Sequence, residues 1–267
     1  MIRKIINRVN RKIEVIQFKA FSHILRKYNV EFYYKDSLGI LTKRKYDDNF
    51  NYIFKTHNSC DAMPLMTSLN EKISNSKIGI DVGANIGITT IWMSKNCKKV
   101  YSFEPEKQNI ERFKDNLSIN NITNVELIQK AVANKKGKAV LNIFESYGHH
   151  SLSSEHLSKP KATQEVDTIT LDDFCSSNNI DEIDFLKIDI EGFELEALKG
   201  AKELLKNKKI KIIVFEHSKI LFEKQKKDPK EVIIFLLRYN YKIYNLSGET
   251  IKLNNIEKLL QEDLYAI

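Results

Sequence analysis

Apolar positions along the chain change rhythm near residue 77, and the change divides the chain in two. Over residues 1–28, Ile2, Ile5, Ile6, Val9, Ile13, Ile16, Ala20, Ile24 and Leu25 recur at spacings of three and four, with Arg3, Lys4, Arg8, Arg11, Lys12 and Lys19 between them. That pattern predicts a basic amphipathic helix. Residues 30–56 read as strands with turns at 36–39 and 47–51, and 65–73 as a helix. From 77 onward strand and helix alternate: a strand to 82, a helix over 86–95, a strand over 99–103, a helix over 107–120 and a strand over 125–129. Residues 139–145 and 166–171 suit added strands with a polar loop between them, while 183–188 and 210–215 are short, β-branched and apolar, as central parallel strands are. A helix over about 195–206 joins those two. Beyond Asp228 and Pro229 a helix runs to 239, and 241–246 and 264–267 supply late strands that suggest an antiparallel edge. Such alternation predicts an α/β fold built on a mostly parallel sheet with right-handed crossovers. The expected division is an N-terminal helical and β-rich extension over 1–76 and one α/β domain over 77–267.

Composition adds little to this picture. The chain has 267 residues, 42% of them hydrophobic, enough to bury a substantial core. Its net charge of +8 favours acidic partners without choosing among anionic glycans, lipid headgroups and nucleic acid. Cys60, Cys97 and Cys175 are widely spaced, with no C-x-x-C pair, so reduced thiols are expected. There is no secretory leader pattern, and the longest apolar run, 232–237, falls far short of the roughly 18 residues of a membrane span. A cytoplasmic protein is expected, with the 1–28 helix offering either a peripheral contact with an anionic membrane or a homodimer contact.

The densest chemistry lies at residues 78–87, I-G-I-D-V-G-A-N-I-G, where a strand enters a glycine-bracketed turn and then a helix. The spacing is G-x-x-x-G, not the G-x-G-x-x-G of a dinucleotide site, and Asp81 stands two residues before Gly83. A carboxylate there repels phosphate and suits a cationic ligand end, such as the ammonium and sulfonium of S-adenosylmethionine. Glu104 and Pro105 close the next strand about twenty residues on, where an acid can accept from both ribose hydroxyls. Lys130 and Ala131 end the third strand and could border an adenine ring. Asp189 and Glu191 lie just beyond the fourth strand, two residues apart and hence on one face if the strand persists. They could bind a metal, orient a hydroxyl or act as base; the structural alternative is acids set against a helix dipole. The fifth strand ends at Glu216 and His217, and an imidazole at that edge suits proton transfer near neutral pH. His149 and His150 fall in the polar loop, and His23 and His57 read as surface or packing residues.

Taken in order, these pieces resemble the FkbM family of S-adenosylmethionine-dependent methyltransferases. The matching text is IDVGANIG at 80–87, YSFEPEKQN at 101–109, QKAVAN at 129–134, TLDDF at 170–174, LKIDIEGFELEALKGA at 186–201 and FEH at 215–217, so the likeness covers about 77–220. The resemblance implies a class I, Rossmann-like methyltransferase: a seven-stranded, mostly parallel sheet with one late antiparallel strand and helices on both faces. It also implies O-methyl transfer to a hydroxyl of a sugar, glycan or secondary metabolite. Carried over, Asp81, Gly83, Ala84, Asn85 and Gly87 would hold the methionine end, Glu104 and Pro105 the ribose, Lys130 and Ala131 the adenine edge, and Asp189 the region beside the sulfonium. His217, or Asp189 with Glu191, would take the hydroxyl proton, with Glu216 polarising His217. A divalent metal on Asp189, Glu191 and Glu216 is the lesser reading, and none is expected. Residues 189–192 read D-I-E-G, not the N/D-P-P-Y loop of amine methyltransferases. An RNA methyltransferase and a non-catalytic cofactor-binding module remain the alternatives. No RNP pattern or GXXG clamp supports the former.

Overall fold

The structure, a computed structural model, describes residues 31–35, 39–45, 63–144, 150–152, 159–254 and 256–267. The predicted helix over 1–28, the turn at 47–51, Cys60, His23, His57 and His149 lie outside the described residues. The chain divides into two compact units, Met1–Cys60 and Asp61–Ile267. In the first, β1 (Glu31–Lys35) and β2 (Leu41–Lys45) are strands within the predicted β-rich stretch and pair antiparallel.

In the second unit, α1 (Met63–Ile73) leads into β3 (Ser76–Val82), α2 (Ile88–Asn96), β4 (Cys97–Phe103), α3 (Lys107–Ile119) and β5 (Val125–Ile128). The indole of Trp92 in α2 donates to Asn70 Oδ1 of α1 at 3.0 Å, which ties the first helix to the sheet's own crossover. Then come β6 (Ala131–Val132), β7 (Gly137–Ile143), β8 (Ala162–Ile169), α4 (Leu171–Ser177), β9 (Ile183–Ile188), α5 (Glu194–Lys199), α6 (Lys202–Lys206), β10 (Ile210–Ser218), α7 (Lys219–Lys224), α8 (Glu231–Arg238), β11 (Ile243–Asn245) and β12 (Gln261–Ala266). The main sheet has the order β11-β12-β10-β9-β3-β4-β5, parallel throughout except for β12. This is the predicted α/β sheet of seven strands. Its central strands are buried on both faces, as apolar parallel strands under helical layers are. The reversed strand sits one place in from the edge, because β12 inserts between β10 and β11 and leaves β11 outermost.

The added strands do not join this sheet. β7 and β8 pair antiparallel, and β8 carries β6 in parallel on its other side, giving a separate three-stranded sheet with its own small core of Ala131, Leu141 and Val166.

The single helix expected over 195–206 is two. Gly200 packs so closely that a Cβ there would lie 2.2 Å from the Ala133 carbonyl oxygen, and its own carbonyl accepts from the Asp172 amide. The Asp172 carboxylate in turn accepts from the amides of Glu203 and Leu204, both at 3.0 Å, and so caps the start of α6. One residue of α4 thereby meets the end of one helix with its backbone amide and the start of the next with its carboxylate.

Candidate functional site

Three carboxyl ends meet at one edge of the sheet: those of β3, β4 and β9. The crossover from β3 goes outward to β4, while β9 enters on the other side of β3, which makes this edge a topological switch point. A cleft of about 540 Å³, open to solvent, lies there.

The turn after β3 is fixed by the end of β4. The amides of Gly83 and Ala84 both donate to the Phe103 carbonyl at 3.0 Å, and the Asn85 amide donates to Glu104 Oε2 at 2.8 Å. Gly83 adopts φ 82°, and a Cβ there would lie 1.9 Å from the Asp189 carbonyl oxygen, so the adjacent strands close on it from both sides. Glu104 is 5% exposed, and its Oε1 accepts from the Glu106 amide at 2.9 Å. Burial pushes its carboxyl up to about 7, against the pull of the Glu106 and Asn85 amides. Asn109, on the first turn of α3, also lines the cleft and stands 3.4 Å from Glu104 Oε1.

Gly83, Asn85, Glu104, Pro105, Lys130, Ala131 and Asp189 all line the cleft. Ala84 and Gly87 do not. Gly87 is a packing glycine at φ 88°, where a Cβ would lie 2.2 Å from the Phe113 ring. Asp81 lies beneath the lining, wholly buried: Oδ2 accepts from Thr90 Oγ1 at 2.6 Å, and Oδ1 is 3.7 Å from Lys187 Nζ. Its carboxyl is raised by burial, which outweighs the pull of Lys187. The position expected to meet a cationic ligand end directly is thus already occupied by a lysine from the neighbouring strand.

The expectation that His217 faces the crevice is not met. Successive side chains of a strand point to opposite faces, so Glu216 and His217 cannot share one. The ring of His217 is 1% exposed and packs 6.0 Å from that of Phe222, with no hydrogen-bond partner for either nitrogen among the described residues. Burial lowers its pKa, leaving a neutral imidazole. Glu216 therefore cannot polarise it. Instead, Glu216, Asp189 and Glu191 each bring one carboxylate oxygen within 4.8 Å of the other two, a spacing that a divalent cation could bridge. Burial and then the nearby carboxylates of Asp189 and Glu191 push Glu216 up to about 9.

Glu191 takes its place through its backbone. It adopts φ 56°, and its carbonyl accepts from Ser151 Oγ at 3.0 Å and from Gln225 Nε2 at 2.9 Å. Below it, Glu194 Oε1 accepts from the amides of Ile190 and Gly192, both at 3.1 Å. Ser151, His150 and Leu152 come from the segment following β7 and form the far wall of the cleft with Phe193. Sequence reasoning named the His149/His150 pair without a role and missed Asn109, although it lies within the 101–109 motif.

The Methyltransferase FkbM domain matches residues 81–243. "Hexuronic acid methyltransferase AglP" of Haloferax volcanii is 27% identical over 191 residues, covering 71% of this chain and 71% of that protein. "Methyltransferase 1" of Beauveria bassiana is 26% identical over 141 residues, 45% of this chain and 57% of that one. The crystal structure of an FkbM methyltransferase from Methylobacillus flagellatus KT aligns with a TM-score of 0.49 at 19% identity, over 72% of this chain and 44% of that one. The chain thus spans between about half and three quarters of the length of the two curated relatives.

Proposed function

The chain belongs to the FkbM methyltransferase family, and from that premise we propose that it is an S-adenosylmethionine-dependent O-methyltransferase acting on a hydroxyl of a sugar, glycan or secondary metabolite. The observation that carries the cofactor is the disposition of amides and carboxylates around the cleft. The three amides of the glycine turn, which would cradle a pyrophosphate in a dinucleotide site, already donate to Phe103 and Glu104. Among the described lining side chains the carboxylates are Glu104, after β4, and Asp189, after β9, with Lys130 the one lysine. A ligand with ribose hydroxyls at one end and positive charge at the other fits that lining. The sugar acceptor rests on the likeness to the hexuronic acid methyltransferase.

When bound, S-adenosylmethionine supplies a methyl group on a sulfonium with a good neutral leaving group. Glu104 accepts from the ribose hydroxyls, and Pro105, Lys130 and Ala131 border the nucleoside. The backbone of Gly83 and Asn85, with Asp81 behind it, shapes the methionine end. Asp189 would take the proton of the acceptor hydroxyl as that oxygen receives the methyl group. Alignment of the acceptor with the methyl supplies the larger share of the rate.

Two measurements test this reading. Calorimetry should detect S-adenosylmethionine binding that Glu104→Ala weakens by about tenfold or more, the scale of a lost hydrogen-bonded carboxylate. Transfer of labelled methyl should be seen with a panel of methyl glucoside, methyl galactoside and glucuronic acid. Failure to bind S-adenosylmethionine would sink the proposal.

A further inference from the structure

The β9 strand is apolar where it crosses the core, save at Lys187, an ammonium carried to 7% exposure in the middle of a parallel sheet. Burying a charge there is costly unless it is paired. Its partners are two carboxylates with different surroundings. Asp81 is directly across from it in the β3–β9 register and lies wholly inside the protein. Asp189, two residues on, lines the cleft with its side chain 39% exposed. Lys187 Nζ is 3.0 Å from Asp189 Oδ2 and 3.7 Å from Asp81 Oδ1, and that Asp81 oxygen has no hydrogen-bond partner among the described residues. Lys187 itself does not line the cleft, so it reaches the chemistry only through Asp189.

Resting on the methyl-transfer reading above, we propose that Lys187 is a positioning residue: braced from below by Asp81, its ammonium locks the Asp189 carboxylate in place at the cleft wall to receive the acceptor's proton. The fold gives that lock a purpose. Asp189 is also approached by Glu216 from β10, Asp263 from β12, Glu194 at the start of α5, and Glu191 beside it. Without a cation touching it, Asp189 would turn away from those acids. Burial alone would depress the lysine's pKa, but the carboxylates of Asp189 and Asp81 outweigh it and raise it, so the ammonium persists across the working range. Lys227, a further cation near this group, is close to Glu194 and donates to the Gly192 carbonyl at 2.6 Å.

The test compares wild type with Lys187→Met by two readouts. In carboxyl-carbon NMR at one pH, with the Asp189 signal assigned from Asp189→Asn, that signal should move and broaden in the variant, as for a carboxylate released from a charged hydrogen-bond partner. On whichever sugar of the panel the wild type methylates, kcat should fall about tenfold while the acceptor KM changes little, and Lys187→Arg, which keeps a cation there, should recover most of the rate. If the isolated charge of Asp81 prevents folding, Asp81→Asn combined with Lys187→Met removes both buried partners and is read the same way. An unmoved Asp189 signal overturns the proposal, and so does a moved signal with an unchanged kcat, since the lysine would then be structural only. Absence of S-adenosylmethionine binding by the wild type overturns the methyl-transfer reading instead, and the NMR comparison still decides whether Lys187 controls Asp189.

Discussion

At the scale of single residues, parity along β10 decides the fate of the histidine. His217→Leu removes two buried nitrogens that have no partner among the described residues, each such group costing about 1–3 kcal/mol. Its Tm should match or exceed that of wild type, with methyl transfer retained; a large loss of turnover at unchanged Tm would return His217 to the mechanism. Gly83→Ala is the opposite case, because its Cβ would meet backbone, not a movable side chain, 1.9 Å away at Asp189. Loss of folded protein is expected, and a soluble, active Gly83→Ala enzyme would contradict the packing described here. Much of this was legible in the chain. Glu104, Asp189 and the glycine turn were found because strand ends at fixed distances from a turn share an edge of the sheet. The opposed faces of Glu216 and His217 were legible too, since adjacent strand residues must diverge. Lys187 against Asp81 was not, because a pairing across β3 and β9 spans about a hundred positions of sequence and depends on register.

At the scale of elements, the helix expected over 195–206 shows what periodicity cannot see. Residues 194–206 keep a helical apolar rhythm through Gly200, and only the approach of Ala133 and the reach of Asp172 from α4 divide them. Asp172→Ala should cost about 1 kcal/mol, typical of a lost helix cap, read as a lower denaturation midpoint with cofactor affinity intact. An unchanged midpoint would mean that the turn at Gly200 needs no cap. The short elements α4, α7 and β6 escaped the sequence pattern because six or seven residues, or two, hold too few positions for a period to emerge. The β7–β8 pair was recognised as strands, but its separation from the main sheet depends on β6, which the sequence left as a strand end.

At the scale of the molecule, carboxyls buried around one sheet edge set the response to pH. Glu104 and Glu194 are pushed up to about 7 and Asp263 to about 6, by burial first in each case. The folded chain therefore keeps protons that unfolded carboxyls, titrating near 4, have released. Stability falls as pH rises from about 4 through about 7, since the native state binds the more protons there. Tm should be higher near pH 5 than near pH 8, roughly the two ends of that window, and Glu194→Gln should flatten the difference. Burial and the neighbouring carboxylates push Glu216 up to about 9, and the Lys187 ammonium already sits against Asp189 of the same group. Methyl transfer is expected to survive exhaustive EDTA; loss restored by magnesium would give those carboxylates a metal. A mostly parallel sheet was legible because strand and helix alternate, and its seven strands were implied by the family resemblance, yet the place of the reversed strand was not. That place has a consequence for synthesis. β10 and β11 leave the ribosome before β12, the strand that joins them, so the growing sheet waits with an open edge at β10 until residues 261–266 emerge. A nascent chain stalled before residue 261 should be cut by protease near β10, whereas one stalled beyond β12 should resist.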